Sequence, residues 1–228
     1  MARNSARPTV LAAVAATGLA TLVATVVAPA VAGAATHPAA KAKVVNLVKD
    51  AGAESAKPDS AGGKVKVPDW TPAKGSQFTA VAYGAAGGFP DSSSPGPKHR
   101  GKNFFAGGPS GSTSGATQSD GLKAYATPIS QGKAKFKLSG WLGGFSSQGD
   151  YAKFTVTWTS AKGKALGHAT IGPVTPSQRH NVTGLLFRAT SGPVPKGATR
   201  AVLTLHMVRE SGEYVDGYAD NLSLTISG

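Results

Sequence analysis

Apolar and polar residues alternate with a period of two through most of the C-terminal half of the chain. Ala134, Phe136, Leu138, Gly140 and Leu142 fall on one side of a run whose other side is Lys133, Lys135, Lys137, Ser139 and Trp141. Ala152, Phe154, Val156 and Trp158 alternate with Lys153, Thr155, Thr157 and Thr159. In the last run Leu222, Leu224 and Ile226 oppose Asn221, Ser223 and Thr225, and Asp220 stands at its start. A period of two marks a strand with one dry and one wet face. Ala201, Leu203, Leu205 and Met207 also alternate, with Val202, Thr204, His206 and Val208; apolar residues on both sides of this run predict a central strand.

The first half is less regular. Residues 44–48 form a first apolar stretch, residues 50–66 are rich in Gly, Ala and Ser, and Pro68-Asp69-Trp70 turns the chain. Residues 78–83 alternate as a strand would, residues 84–102 read as a long irregular loop, residues 103–106 as a short apolar segment and residues 107–115 as another Gly/Ser loop. Further on, Ala161-Lys162-Gly163-Lys164 reads as a hairpin turn and residues 193–197 as a tight loop. No stretch after the N-terminal segment has the periodicity of an amphipathic helix, and no repeat of 20 to 50 residues is evident. Thirty glycines and fifteen prolines punctuate the strands. The pattern predicts an all-β protein, a jelly-roll β-sandwich spanning residues 44–228 as a single domain.

The N-terminus follows other rules. Arg3 and Arg7 precede an uncharged Ala/Val-rich stretch from Val10 to Val27, and Ala30-Val31-Ala32 and Ala32-Gly33-Ala34 are small-x-small cleavage candidates. Residues 1–34 therefore read as a signal peptide, with an uncleaved membrane anchor as the alternative, and residues 35–43 as a short tether. The expected product is secreted and extracellular, without a membrane span after cleavage, monomeric, and about 190 residues long, enough for one real core.

The chain has no cysteine, so stability must come from burial, hydrogen bonds or a bound cation rather than disulfides. A net charge of +13 comes mostly from thinly spread lysines. Such a surface suits anionic polymers or simply solubility; without an Arg/Lys cluster interleaved with aromatics, it does not point to specific nucleic-acid binding.

Motifs for catalysis are sparse. No G-x-S-x-G elbow exists, the five histidines are scattered, and neither cysteine nor HExxH is present to hold zinc. Glu210, Glu213 and Asp216 cluster before the last strand and offer a carboxylate pair for glycoside hydrolysis, or merely solvated loop charges. Glu54 follows the first apolar stretch and Asp220 opens the last. Terminal strands that lie side by side in a sandwich would bring these two carboxylates together as hard ligands for calcium, unless Asp220 only caps a turn. Aromatics at loops and strand ends could stack on sugar rings: Trp70, Tyr83, Phe105, Trp141, Phe145 and Tyr151 are the candidates, with Phe89 and Phe104 beside them. Trp141 shares the lysine side of its strand and is the best placed to be exposed; Trp158 lies on the dry side and reads as core.

Asn46-Leu47-Val48 followed by Ala53-Glu54, then Trp70, then the closing Asp216-Gly217-Tyr218-Ala219-Asp220-Asn221-Leu222-Ser223-Leu224, resembles galactose-binding-like jelly-roll modules, among them glycan-binding modules attached to xylanases. Gly101 to Gly108, with Asn181-Val182-Thr183-Gly184 and Gly217 to Leu222, is also similar to a group of secreted actinobacterial proteins of unassigned function. In the wider superfamily a glutamate after the first strand and an aspartate opening the last often hold a structural calcium, which the resemblance carries over to Glu54 and Asp220. Lys49-Asp50-Ala51-Gly52 departs from the usual Asn-Gly-Asp at that point. The expected function is a non-catalytic carbohydrate- or cell-wall-binding module with a structural Ca2+. The alternatives are a glycoside-acting hydrolase and an envelope interaction or structural protein that binds no sugar.

Overall fold

The computed structural model describes residues 44–228. The signal peptide expected over residues 1–34 and the tether over 35–43 lie outside the described residues. Ten strands follow one another: β1 (Thr71–Pro72), β2 (Thr79–Ala82), β3 (Asn103–Gly108), β4 (Thr113–Gly121), β5 (Lys135–Gly144), β6 (Tyr151–Thr159), β7 (Ala165–Ile171), β8 (Gly184–Pro193), β9 (Arg200–Val208) and β10 (Val215–Ser227). They form two five-stranded sheets, in the orders β1-β4-β9-β6-β7 and β2-β3-β10-β5-β8. Every pairing between these strands is antiparallel. The chain crosses repeatedly from one layer to the other, and the result is the expected all-β jelly-roll sandwich.

The dry faces read from the sequence meet between the sheets. Phe136, Leu138 and Leu142 from β5, Ala152, Phe154, Val156 and Trp158 from β6, and Leu222, Leu224 and Ile226 from β10 all enter one core. Ala201, Leu203, Leu205 and Met207 of β9 are wholly buried there, and β9 is the middle strand of its sheet. The turn at Ala161–Lys164 joins β6 to β7 as a hairpin.

Three expectations change. Residues 107–115 are not all loop, because Thr113–Gly121 is a nine-residue strand. Its inward residues are Ser114, Ala116 and Gln118, too small or polar to show as an apolar face. One short helix, α1 (Ala126–Gln131), is present and ends on Gly132 at φ 71°, a conformation glycine adopts without strain. Asp220 lies in the middle of β10, not at its start.

β10 carries a bulge that decides where its carboxylate points. Asp220 pairs with Trp141 and Ser223 with Ser139, so the strand contains one residue more than its partner across this step. Asn221 takes the left-handed conformation at φ 46°. The extra residue reverses the alternation, leaving Leu222 in the core while Asp220 faces the outside of the sheet.

The N-terminal segment also reaches β10. Leu47 N–H donates to the Leu224 carbonyl at 2.8 Å, and Asn46 bonds both Leu222 O and Leu224 N–H through its side chain, each at 3.0 Å. Leu222 N–H donates to Ala51 O at 2.9 Å. Lys49 exchanges two bonds with the Gln118 side chain of the other sheet. Residues 46–51 thus lie as a strap along the part of β10 that β3 does not cover. The two ends of the domain meet there.

Candidate functional site

The strap delivers Glu54 to the corner where β3 begins. Glu54 Oε1 accepts the N–H groups of Lys102 and Asn103, both at 2.9 Å. Gly101 stands at φ 69°, and a Cβ there would fall 2.3 Å from Glu54 Oε1, so glycine is needed both for the backbone and for the approach of the carboxylate. Gly52 lies against Asp220 less tightly: its Cβ would stand 3.0 Å from Asp220 Oδ1 and 3.8 Å from Glu54 Cγ. The structure therefore brings the two carboxylates expected from the sequence to one corner.

Asp220 is fully buried. Its Oδ2 accepts the Tyr83 hydroxyl at 2.7 Å and its Oδ1 the N–H of Asn221 at 2.6 Å. Burial, reinforced by the neighbouring Glu54 charge and only partly offset by these bonds and by Arg100, pushes its carboxyl up to about 7. Two more oxygens of this corner, Asp50 Oδ2 and Asn103 Oδ1, are buried without a hydrogen-bond donor. Burial also raises the Asp50 carboxyl. The corner holds more buried oxygen than donors to satisfy it, and hard oxygens in excess suit a cation such as Ca2+. No cluster of three or more His, Cys, Asp or Glu occurs among the described residues, so backbone and amide oxygens would have to complete any coordination shell.

Beside this corner the 84–102 loop forms a cleft of about 530 Å3 lined by Tyr83, Asp91, Lys98, Arg100 and Gly101. Arg100 fastens the loop by donating to the carbonyls of Asp91, Ser94 and Pro97, and its guanidinium lies 5.1 Å from the centre of the Tyr83 ring. Asn221 Nδ2 donates to His99 O at 2.8 Å and ties the same loop to the β10 bulge.

The outer face of the β2-β3-β10-β5-β8 sheet carries a second apolar cluster, separate from the core. Val81, Phe104, Ala106, Leu185 and Tyr218 form its buried floor, with Tyr83, Phe89, Trp141, Phe145 and Tyr214 packed partly exposed against it. Trp141 and Phe187 stand opposite each other on β5 and β8, their rings 5.8 Å apart and edge-on. Phe187 is 48% exposed. Asp220 occupies the next place in the same cross-strand row.

The six aromatic candidates separate. Tyr83, Trp141 and Phe145 come together on this face. Trp70 and Phe105 do not: both are buried between the sheets, where the Trp70 ring packs on Phe78, Phe105 and Phe154, so neither offers a surface to a ligand. Phe104 and Phe105 are neighbours on one strand and must point to opposite sides, and it is Phe104 that faces outward. Tyr151 lies on β6 in the other sheet, its ring beneath the Lys153 ammonium at 5.0 Å. Among the three acids of the hydrolase alternative, Glu210 and Glu213 are exposed and only Asp216 is buried.

Behind Asp216 lies a polar network that sequence reasoning did not reach. Asp150 is fully buried and accepts the N–H groups of Glu210, Ser211 and Asp216 at 2.7, 3.0 and 2.9 Å. Arg179, also buried, donates to the carbonyls of Ser146, Gln148 and Val182. Tyr218 donates its hydroxyl to Asp216 Oδ1. Burial pushes the Asp216 carboxyl up to about 6, against the Tyr218 bond, with Asp150 adding to the rise and Arg179 opposing it. Because Asp150 and Arg179 bond mostly to backbone atoms of distant loops, no spacing of residue types announces them.

No family model and no curated protein matches the chain. Solved structures share its fold at low identity. A Stig cyclase, Fisc, from Fischerella sp. TAU is 15% identical over 81% of this chain and 98% of its own, with a TM-score of 0.50. A family 16 carbohydrate-binding module is 18% identical over 78% of this chain and 99% of its own, with a TM-score of 0.47. The enzymatically active domain of tailspike protein 4 of bacteriophage CBA120 is 15% identical with a TM-score of 0.44; 80% of this chain is covered, but it spans only 22% of that protein. At this identity the likeness to the cyclase is one of fold alone.

Proposed function

We propose that this protein is a secreted, non-catalytic module that binds a polysaccharide or cell-wall glycan on the outer face of the β2-β3-β10-β5-β8 sheet. The observation that carries the reading is the cross-strand pair Trp141–Phe187, half-open to solvent on a rigid sheet and flanked by Tyr83, Phe145 and the buried carboxylate of Asp220. Flat rings take the apolar faces of pyranoses, and polar groups at the rim of the platform take the sugar hydroxyls. Lys137, on the same side of β5 as Trp141, favours a glycan with acidic groups. In this reading Glu54 and Asp220 hold a structural Ca2+ that fastens the N-terminal strap to β10, with carbonyl or amide oxygens of the same corner completing its shell. No helix among the described residues is long and apolar enough to cross a membrane.

Retention on insoluble cell-wall polysaccharides tests the proposal. The expected result is binding that weakens at least about tenfold in Trp141→Ala and Phe187→Ala, a loss of about 1.4 kcal/mol, while Tyr151→Ala binds as the parent does. Equal retention of all three variants would remove the glycan reading. Turnover of chromogenic glycosides that disappears in Asp216→Asn would put the hydrolase in its place.

A further inference from the structure

A small pocket of about 180 Å3 opens on the same outer face and is lined by Ala61, Gly87, Phe89, Phe145, Tyr214 and Asp216. It is smaller than the ~300–1,000 Å3 of pockets that enclose whole drug-sized ligands, so it fits a head group and not an entire sugar residue. Three of its walls are aromatic rings held in place. Tyr214 donates its hydroxyl to Gly62 O at 2.8 Å, and Phe89 stands edge-on to the Tyr214 ring with centroids 5.3 Å apart. A Cβ at Gly62 would fall 2.4 Å from the Phe89 ring, and one at Gly88 would fall 2.7 Å from the Phe145 ring, so two left-handed glycines let these rings close around the space. Ala61, Gly87 and the carboxylate of Asp216 complete the lining.

The charge around the pocket is unbalanced. Asp216 Oδ1 takes the Tyr218 hydroxyl, while Oδ2 accepts no hydrogen bond among the described residues. Asp150 behind it is a second buried carboxylate, and Arg179 is set against both, its Nη atoms already committed to three loop carbonyls. Aromatic rings and a largely buried carboxylate attract the same ligand chemistry, a positive charge spread over a carbon surface. A primary ammonium brings three N–H donors, and the side chains here offer a single anionic oxygen to receive them. A quaternary trimethylammonium has no N–H donors to leave unpaired.

We propose that the pocket formed by Phe89, Phe145, Tyr214 and Asp216 binds a quaternary ammonium head group of the trimethylammonium class. The proposal does not depend on glycan binding at Trp141 and Phe187. Titration calorimetry of the full domain with choline, and with the neutral carbon isostere in which a tert-butyl group replaces the trimethylammonium, tests it. Choline binds at least about tenfold more tightly than the isostere, a difference of about 1.4 kcal/mol. Phe145→Ala and Asp216→Asn each weaken choline by a similar factor, and Tyr151→Ala leaves it unchanged. Equal affinity for choline and its isostere, or no saturation by about 10 mM choline, overturns the proposal. Should Asp216→Asn fail to fold, the comparison of the two ligands on the unaltered protein still decides it.

Discussion

Replacing Asp220 with asparagine should stabilise the protein in chelator at neutral pH and destabilise it in calcium. In the unfolded chain this carboxyl ionises near 3.8, while in the fold burial holds its proton until about 7. Between those values the unfolded state binds fewer protons than the folded one, so stability falls as pH rises through this window and levels off above it. The shift of about three pH units corresponds to a penalty on the order of 4 kcal/mol for ionising Asp220 in the fold without a cation. Asparagine never ionises. It keeps one oxygen and so loses one of the two bonds that Asp220 accepts from Tyr83 and Asn221, which costs about 1 kcal/mol. The net gain is on the order of 3 kcal/mol at pH 8, or a rise of roughly 6–12 °C in Tm for a domain of this size. Thermal unfolding of both proteins from pH 4 to 8 in EDTA measures it: the two curves lie close together at pH 4 and separate as pH rises. Added Ca2+ reverses the order, because it stabilises only the protein that retains the carboxylate. Parallel pH profiles in EDTA would show that Asp220 does not carry the buried charge deduced from its surroundings. Absence of any Ca2+ effect would remove the metal from this corner.

Leu205→Ala, in the middle of β9, should lower stability by about 2–5 kcal/mol in urea unfolding, whereas Val202→Ala on the opposite face of the same strand should cost under about 1.5 kcal/mol. Gly101→Ala combines an unfavourable φ of 69° with a clash on Glu54 Oε1; a loss of about 2 kcal/mol or more and a weakened response of Tm to Ca2+ are expected. Arg179→Met strips three loop carbonyls of their donor and leaves Asp150 and Asp216 without this counter-charge. It should cost about 3 kcal/mol or more in denaturant and raise amide exchange in residues 145–150 and 176–183.

What the sequence shows of this fold depends on the size of the inward side chains. β5, β6, β9 and the second half of β10 send Leu, Phe, Val and Trp to the core, and their alternation is plain. β4 buries Ser114, Ala116 and Gln118 instead, so its alternation has no amplitude and its residues read as a loop. The meeting of Glu54 and Asp220 was legible because the N-terminal segment does run along the last strand, though as an irregular strap and not as the first strand of the sandwich. The inward or outward sense of an isolated aromatic was not. Trp70 sits next to a turn, where sequence gives no phase, and Phe104-Phe105 must split between two sides that a two-residue pattern cannot label. The Asn221 bulge reverses the phase within a strand, and Asp150 and Arg179 act through backbone partners up to 66 residues away. Such features depend on tertiary placement, which periodicity does not record.

The strap over residues 46–51 bears on more than the meeting of the two ends. Among the described residues, the main chain of β10 past Ala219 finds its hydrogen-bond partners on the β3 side in this segment. A chain shortened to begin at residue 52 would leave Leu222 N–H and O and Leu224 N–H and O without their present partners, on a strand that is apolar on one side and ordered by its other neighbour. Open main-chain groups of that kind recruit any extended polypeptide that arrives. The shortened protein is expected to pair with copies of itself, with sedimentation shifting from one chain toward dimers and larger species as concentration rises, while the intact domain keeps that seam closed with its own first residues.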